Sequence, residues 1–261
     1  MLLEGKKIIV TGVSGTIASA TVTAYVKEGA KVAALDVNDI EGQKVVTKAN
    51  ENGTGQATYY HCDVSKRQEV FTVFKKAIDA LGGLDVLADV AGIARIANAE
   101  DVSEEQLDAV INVNLKGTVF TNQAAFQALK ENGGGSIINY GSDSALDPTP
   151  GVSDYAAAKA GVQAWSRASA SEWGKYNIRV NSVNPAIESV RGQKVANTGA
   201  GKENPEVQKF TELLKMMIPL GGTGGNAEKD AAPVMVFLAS DASHFITGQI
   251  ININGGFTFV R

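Results

Sequence analysis

Short runs of apolar and β-branched residues recur along the chain, each followed by a longer stretch with apolar positions at helical spacing. The runs are KKIIVT (6–11), KVAALD (31–36), ATYYHCDV (57–64), LDVLADVA (84–91), SIINYG (136–141), IRVNSVNP (178–185) and QIININ (249–254). Between them the spacing predicts helices over 16–28, 41–52, 67–81, 104–131, 155–176 and 227–240. Ser65 and Ser103 read as N-caps, the latter with Gln106 in a capping-box pattern, and Gly29, Gly53 and Gly82-Gly83 stand where helices should stop. Seven strands alternating with six helices predict right-handed crossovers and one seven-stranded parallel sheet with helices on both faces, a doubly wound α/β fold. The near-continuous apolar strands are what burial on both faces requires. One domain is expected over 1–261. Its irregular stretch, 186–226, is rich in Gly, Asn and Lys around a short helical piece at 206–217, and a loop of that length is expected to cover a substrate.

The bulk numbers narrow the function classes. A chain of 261 residues buries a sizeable core without needing a second domain, and 44% hydrophobic with 20% charged residues is a globular composition. The net charge of −4 argues against nucleic acid or an anionic membrane as partner. No apolar run reaches the roughly 18 residues of a membrane span, and the start lacks the pattern of a signal peptide. A single cysteine, Cys62, allows no intramolecular disulfide and fits a reducing, cytoplasmic setting. With only His61 and His244 beside it, no metal site is expected.

TGVSGTIA (11–18) joins the first strand to the first helix. Backbone N–H groups of such a turn, with the helix dipole behind them, suit a pyrophosphate. Gly12 permits the bend, Gly15 a close approach, and Ser14 and Thr16 add hydroxyls. Taken alone the stretch is equally a tight connection. Asp36 ends the second strand 24 residues after Gly12, where a carboxylate accepts from both hydroxyls of an adenosine ribose, and no Lys or Arg stands among Val13, Ser14, Val37 or Asn38 to receive a 2′-phosphate. In isolation it is as readily an Asp opening a loop, with Asp39 capping the next helix.

YAAAK (155–159) places Tyr155 and Lys159 on one helix face. An ammonium beside a phenol stabilises phenolate; lowering a phenol pKa of about 10 by ~2–3 units takes roughly 3–4 kcal/mol, and the pair then serves as general acid–base for an alcohol or ketone. On most helices the same spacing is only a solvated face. Ser142 lies 13 residues earlier at the carboxyl end of a strand, and Asn114 sits inside a helix, where a buried amide needs partners. Across nearly its whole length the chain resembles the short-chain dehydrogenase/reductase family. The matching pieces are TGVSGTIA, Asp36, CDV (62–64), DVAG (89–92), NVNL (112–115), Ser142, YAAAK, VNPA (183–186) and FLASDAS through TGQIININGG (237–256).

The resemblance implies a Rossmann-type fold binding NAD. Tyr155 would carry the hydroxyl proton, and Lys159 would lower its pKa and hold the nicotinamide ribose. Ser142 would bond the substrate oxygen, and Asn114 would hold a water linking Lys159 to solvent. The cofactor would lie along Gly12, Ser14, Gly15, Thr16 and Ile17, with Asp36 on the ribose, Asp63 and Val64 at the adenine, Ala91 and Gly92 packed close, and Pro185 and Ile187 at the nicotinamide. The chain departs from the family pattern at Thr16 and Ala18, where glycines are usual, at Asp89 and Val90 for paired asparagines, at Ala186 for glycine and at Asn254 for aspartate.

Leu213, Leu214, Met216, Met217 and Ile218 in the long loop, with Ala145, Leu146 and Pro148 after the serine, favour a fairly apolar secondary alcohol or ketone, hydroxysteroid-like or aryl. A 3-oxoacyl carrier-protein reductase is the competing enzyme. A cofactor-binding regulator with little turnover and a scaffold protein are the readings outside catalysis. Trp165 and Trp173 read as core or subunit interface, and by resemblance the chain is expected to be a homodimer or homotetramer built on its long helices and last strand.

Overall fold

The computed structural model describes residues 1–51, 53–147, 149–187 and 217–259. Seven strands, β1 (Lys7–Thr11), β2 (Lys31–Asp36), β3 (Gln56–His61), β4 (Val86–Asp89), β5 (Gly135–Tyr140), β6 (Ile178–Pro185) and β7 (Ile250–Ile253), form one sheet in the order β3-β2-β1-β4-β5-β6-β7. All six pairings are parallel. The helices are α1 (Thr16–Lys27), α2 (Asp39–Glu51), α3 (Arg67–Leu81), α4 (Glu104–Ile111), α5 (Gly117–Glu131), α6 (Ser153–Trp173) and α7 (Ala232–Ala239).

Side-chain alternation along β1 explains the two covered faces. Ile8 and Val10 pack with Val22, Tyr25 and Val26 of α1 and Met235 and Leu238 of α7. Ile9 points the other way, toward Phe74 of α3 and Leu129 of α5. Strand order reverses between β1 and β4, and there the carboxyl ends of the strands open a crevice.

Several boundaries differ from those the spacing predicts, each for a local reason. β4 stops at Asp89 because the N–H groups of Val90 and Ala91 bond the Thr11 hydroxyl, at 3.0 and 3.1 Å, and leave the ladder. β3 stops at His61, since Asp63 turns the chain by accepting from the Ser65 N–H and hydroxyl. Ser65 is therefore spent on Asp63 and does not cap α3. Ser103 does cap α4, accepting from Gln106 N at 3.2 Å. The Gln106 side chain, however, reaches away from the cap to Asp154 at 2.9 Å. The helix expected over 104–131 is interrupted by a π-helical stretch, Asn112–Lys116, and the last one opens with another, Ala227–Ala231. Asn38, not Asp39, caps α2, accepting from Glu41 N at 3.2 Å. No described helix is long and apolar enough to cross a membrane.

Candidate active site

Gly12 is held in the left-handed region at φ +71°, and a Cβ on it would lie 2.6 Å from the Ala91 Cα. The turn after β1 thus packs directly on the turn after β4, and only glycine permits it. Gly15 precedes α1 with an ordinary φ of −76°. Together with Thr16 and Ile17 it forms the inner wall of a cleft of about 800 Å³ at the strand-order reversal. Ser14, Asp36, Asp63, Val64, Ala91, Gly92 and Ile187 line the same cleft, so most of the cofactor positions expected from sequence converge on one cavity. Pro185 closes β6 two residues before Ile187. Asp36 accepts from Ser14 N at 2.9 Å, Ser14 Oγ at 2.8 Å and Asn38 N at 2.8 Å, which fixes the carboxylate at the cleft's end and ties the first turn to it. Arg95 is a lining residue that the motifs did not single out.

None of the four catalytic candidates lines the cleft, but two of them, Asn114 and Lys159, bond the backbone of residues that do. Asn114 is fully buried on the π-helical stretch, which turns its side chain onto the β4 turn. Its Nδ2 donates to Ile93 O at 2.8 Å and Val110 O at 3.0 Å, and its Oδ1 accepts from Ile93 N at 3.2 Å. Lys159, 1% exposed, donates through Nζ to Tyr140 O at 2.7 Å. Ile93 and Tyr140 both line the cleft. Gly92 sits between the two side chains: a Cβ there would meet Asn114 Oδ1 at 2.6 Å and Lys159 Nζ at 3.5 Å.

Ser142 follows β5 in extended conformation, and its hydroxyl lies 2.8 Å from that of Ser144. Gln163, one turn beyond Lys159 on α6, donates to Ser142 O and to Asn184 Oδ1, both at 3.1 Å. Asp143 accepts from Asn254 Nδ2 at 2.9 Å and Thr258 Oγ1 at 2.6 Å, so the serine loop is anchored to the chain's last strand region. Asn254, where the family pattern has aspartate, is the donor that the neighbouring carboxylate needs. Burial pushes the Tyr155 phenol above its ordinary value, the nearby Ser142 hydroxyl draws it down, and the Asp143 charge raises it. The Lys159 ammonium lies 5.6 Å from the tyrosine ring centroid. The expectation of a lowered phenol is not met in this state, because desolvation outweighs the polar neighbours. Burial brings Lys159 itself down to about 8, against the pull of Asp89.

Of the loop expected over 186–226, its two ends are described. They are pinned together by Gly225 N donating to Ala186 O at 2.8 Å and by a bridge between Ile187 and Gly225. Met217 is exposed and Ile218 buried, while Leu213, Leu214, Met216 and Pro148 lie outside the described residues. Ser144, Gln163 and Thr258 carry no motif signal. The Ile93 and Tyr140 contacts are made by backbone, which sequence does not display.

A cleft at the strand-order reversal, lined by the Gly12 turn and Asp36, is where a nucleotide-dependent oxidoreductase of the doubly wound class would bind its dinucleotide. Comparison with known proteins agrees. Residues 12–258 match the family model described as enoyl-(acyl carrier protein) reductase. The chain is 38% identical to the 3-oxoacyl-[acyl-carrier-protein] reductase FabG of Thermotoga maritima, over 98% of this chain and 99% of that one. It is 34% identical to the D-threitol dehydrogenase of Mycolicibacterium smegmatis, covering 98% and 94%. A short-chain type dehydrogenase/reductase from Mycobacterium marinum superposes with TM-score 0.85 at 30% identity, covering 99% of this chain and 97% of that one. The chain belongs to the short-chain dehydrogenase/reductase family.

Proposed function

We propose that the protein interconverts a secondary alcohol and a ketone using NAD(H). The observation that carries this reading is Asp36, a carboxylate fixed by three donors at the end of a cleft with the Gly12 turn along its wall. The cleft fits a dinucleotide: the Gly12 turn leaves no room for a Cβ, and the start of α1 turns N–H groups toward an anion. When bound, the nicotinamide supplies or takes the hydride. Gly12, Ser14, Gly15, Thr16 and Ile17 would hold the pyrophosphate, Asp36 the adenosine ribose, Asp63 and Val64 the adenine, and Ala91, Gly92, Pro185 and Ile187 the inner half.

The remaining chemistry belongs to the chain's own side chains. Ser142 Oγ, steadied by Ser144 and by the Gln163 grip on its carbonyl, donates to the substrate oxygen. Tyr155 gives that oxygen its proton in reduction and removes it in oxidation. Lys159, as an ammonium, stabilises the phenolate left behind. Asn114 holds the Ile93 turn and would hold a water linking Lys159 to solvent. Leu146, at the surface beside the serine loop, favours a fairly apolar substrate.

A 3-oxoacyl carrier-protein reductase is the second reading, favoured by the 38% identity to FabG. A panel of apolar secondary alcohols, polyols and 3-oxoacyl thioesters, assayed with NAD(H) and NADP(H) at the nicotinamide absorbance, separates the two. NAD-linked turnover of the apolar alcohols supports the first; NADPH-linked thioester reduction alone refutes it.

Phe126 of α5 packs on Trp173 of α6 with ring centroids 4.8 Å apart, and Trp173 meets Trp165 and Phe126 meets Tyr176 at 6.0 and 5.6 Å. These partly exposed rings support assembly as a homodimer or homotetramer through the long helices.

A further inference from the structure

Asp89 closes β4 with 2% exposure, and the reaction scheme above leaves it unused. Thr11 Oγ1 donates to its Oδ1 at 2.7 Å; that hydroxyl is itself fixed by Val90 N and Ala91 N. Oδ2 has no hydrogen-bond partner among the described residues. Thr118 and Thr121 of α5 lie near enough to favour the ionised carboxyl. Their protons nevertheless go to the helix carbonyls of Asn114 and Thr118, each at 3.0 Å, so neither satisfies Oδ2. A buried carboxylate with one hydrogen bond is costly unless a cation faces it.

Such a cation lies one strand away. Asp89 pairs in register with Asn139 of β5, and the next carbonyl along β5, Tyr140 O, is the one that Lys159 Nζ grips. Lys159 Nζ thus reaches the strand beside Asp89, near enough for the two charges to act on each other without touching. The turn after Asp89 brings Gly92 so near that a Cβ there would stand 3.5 Å from Lys159 Nζ. Among the described residues Lys159 is the only cation buried as deeply as Asp89. The other groups close to Asp89 are Thr11 from β1, Thr118 and Thr121 from α5, Asn139 from β5 and Cys62 after β3. Of these only Cys62 titrates. Burial first, then Glu69, Asp63 and Asp89, push its thiol up to about 12, so it stays neutral.

We propose that Asp89 is the buried counter-charge of Lys159, a positioning residue that keeps the lysine an ammonium beneath Tyr155. The inference rests on the reading of Lys159 as the group that stabilises the phenolate. The directions of titration agree with the geometry. Burial pulls Lys159 down to about 8 and Asp89 resists the fall. Burial raises Asp89, and the threonine contacts and Lys159 resist that rise. Burial thus already works against the ammonium. Removing the carboxylate would take away the charge that opposes its loss.

Carbon-13 NMR of the full chain without cofactor tests the pairing, with the Asp89 carboxyl carbon and the Lys159 ε-carbon followed against pH. In the unmodified protein Asp89 should be ionised at neutral pH, where Lys159 is an ammonium. Asp89→Asn keeps the side chain's shape and an acceptor for Thr11, and should lower the Lys159 midpoint by about one unit, tenfold in its protonation constant. A neutral Asp89 carboxyl at neutral pH overturns the proposal, as does an unmoved Lys159 midpoint in Asp89→Asn. The first readout needs no variant and decides the matter even if Asp89→Asn does not fold. Neither readout uses turnover, so absence of activity on every alcohol would count against the proposed reaction and leave the pairing standing.

Discussion

On the proposed reading cofactor choice turns on Asp36, whose carboxylate is 7% exposed and held by Ser14 and Asn38. A 2′-phosphate docked where the ribose hydroxyls would lie brings a second anion to within ~4 Å. At an effective dielectric near 20, each unit of like charge at that distance costs on the order of 4 kcal/mol before solvent relaxes. Even a quarter of this, about 1 kcal/mol for each of the phosphate's roughly 1.5–2 charges, gives a preference for NAD of tenfold or more. Two variants separate charge from architecture. Asp36→Asn removes the charge and keeps an acceptor for Ser14 N, so the NAD/NADP ratio of kcat/KM should fall at least tenfold, chiefly through better use of NADP. Asp36→Ala also releases the Ser14 turn, so it should erode the ratio mainly by weakening NAD. The assay is initial-rate kinetics with each cofactor at saturating alcohol. Comparable efficiency with both cofactors in the unmodified protein, or an unchanged ratio in Asp36→Asn, would show that the carboxylate does not face the ribose.

Tyr155→Phe should abolish nearly all turnover while leaving NADH binding within a few-fold by fluorescence titration; substantial residual activity would refute the tyrosine as proton carrier. Gly92→Ala places a methyl 2.6 Å from Asn114 Oδ1 and should cost roughly 1–3 kcal/mol in denaturant unfolding, with weaker NADH binding. Wild-type behaviour on both counts would mean that the Asn114 amide is not fixed by this turn. Light scattering at micromolar concentration should report a dimer or tetramer, and a monomer would contradict the role given to the rings of α5 and α6.

The strands were legible because both faces of a parallel sheet are buried, which makes each strand a continuous apolar run; Ile8, Ile9 and Val10 are all fully buried. Their ends were less so. Nothing in LADVA says that a threonine hydroxyl on β1 will take the N–H groups of Val90 and Ala91 out of the ladder. The π-helical stretch at Asn112–Lys116 was equally hidden, since one extra residue per turn over so short a span barely disturbs a helical pattern. Yet it is this stretch that aims Asn114 at Ile93. The YAAAK pair was legible from spacing, whereas the state of its phenol depends on burial, which spacing does not report. Gln163 and Thr258 escaped notice because amides and hydroxyls in helices and tails are usually solvated, and only the folded chain brings them to the serine loop.

Four aspartates are buried in the described structure, and the way each is satisfied separates scaffold from chemistry. Asp36 is met by Ser14 and Asn38, Asp143 by Asn254 and Thr258, and Asp154 by Gln106 and the Tyr155 N–H. All three use neutral donors, which leaves Lys159, the only deeply buried lysine among the described residues, uncommitted by hydrogen bonds to any of them. The departure at Asn254 follows from this arrangement: an aspartate there would set two carboxylates against each other beside Ser142, and an amide removes the conflict. Asp89 lacks such a solution, because the hydroxyls around it donate to their own helix and Thr11 serves only one oxygen. A carboxyl left short of donors must take up a proton or stand against a cation, and Lys159 stands one strand away. On the proposed pairing, the departure from asparagine at this position belongs with Lys159 more than with the sheet. It adds a charge where the other buried aspartates have been given hydrogen bonds.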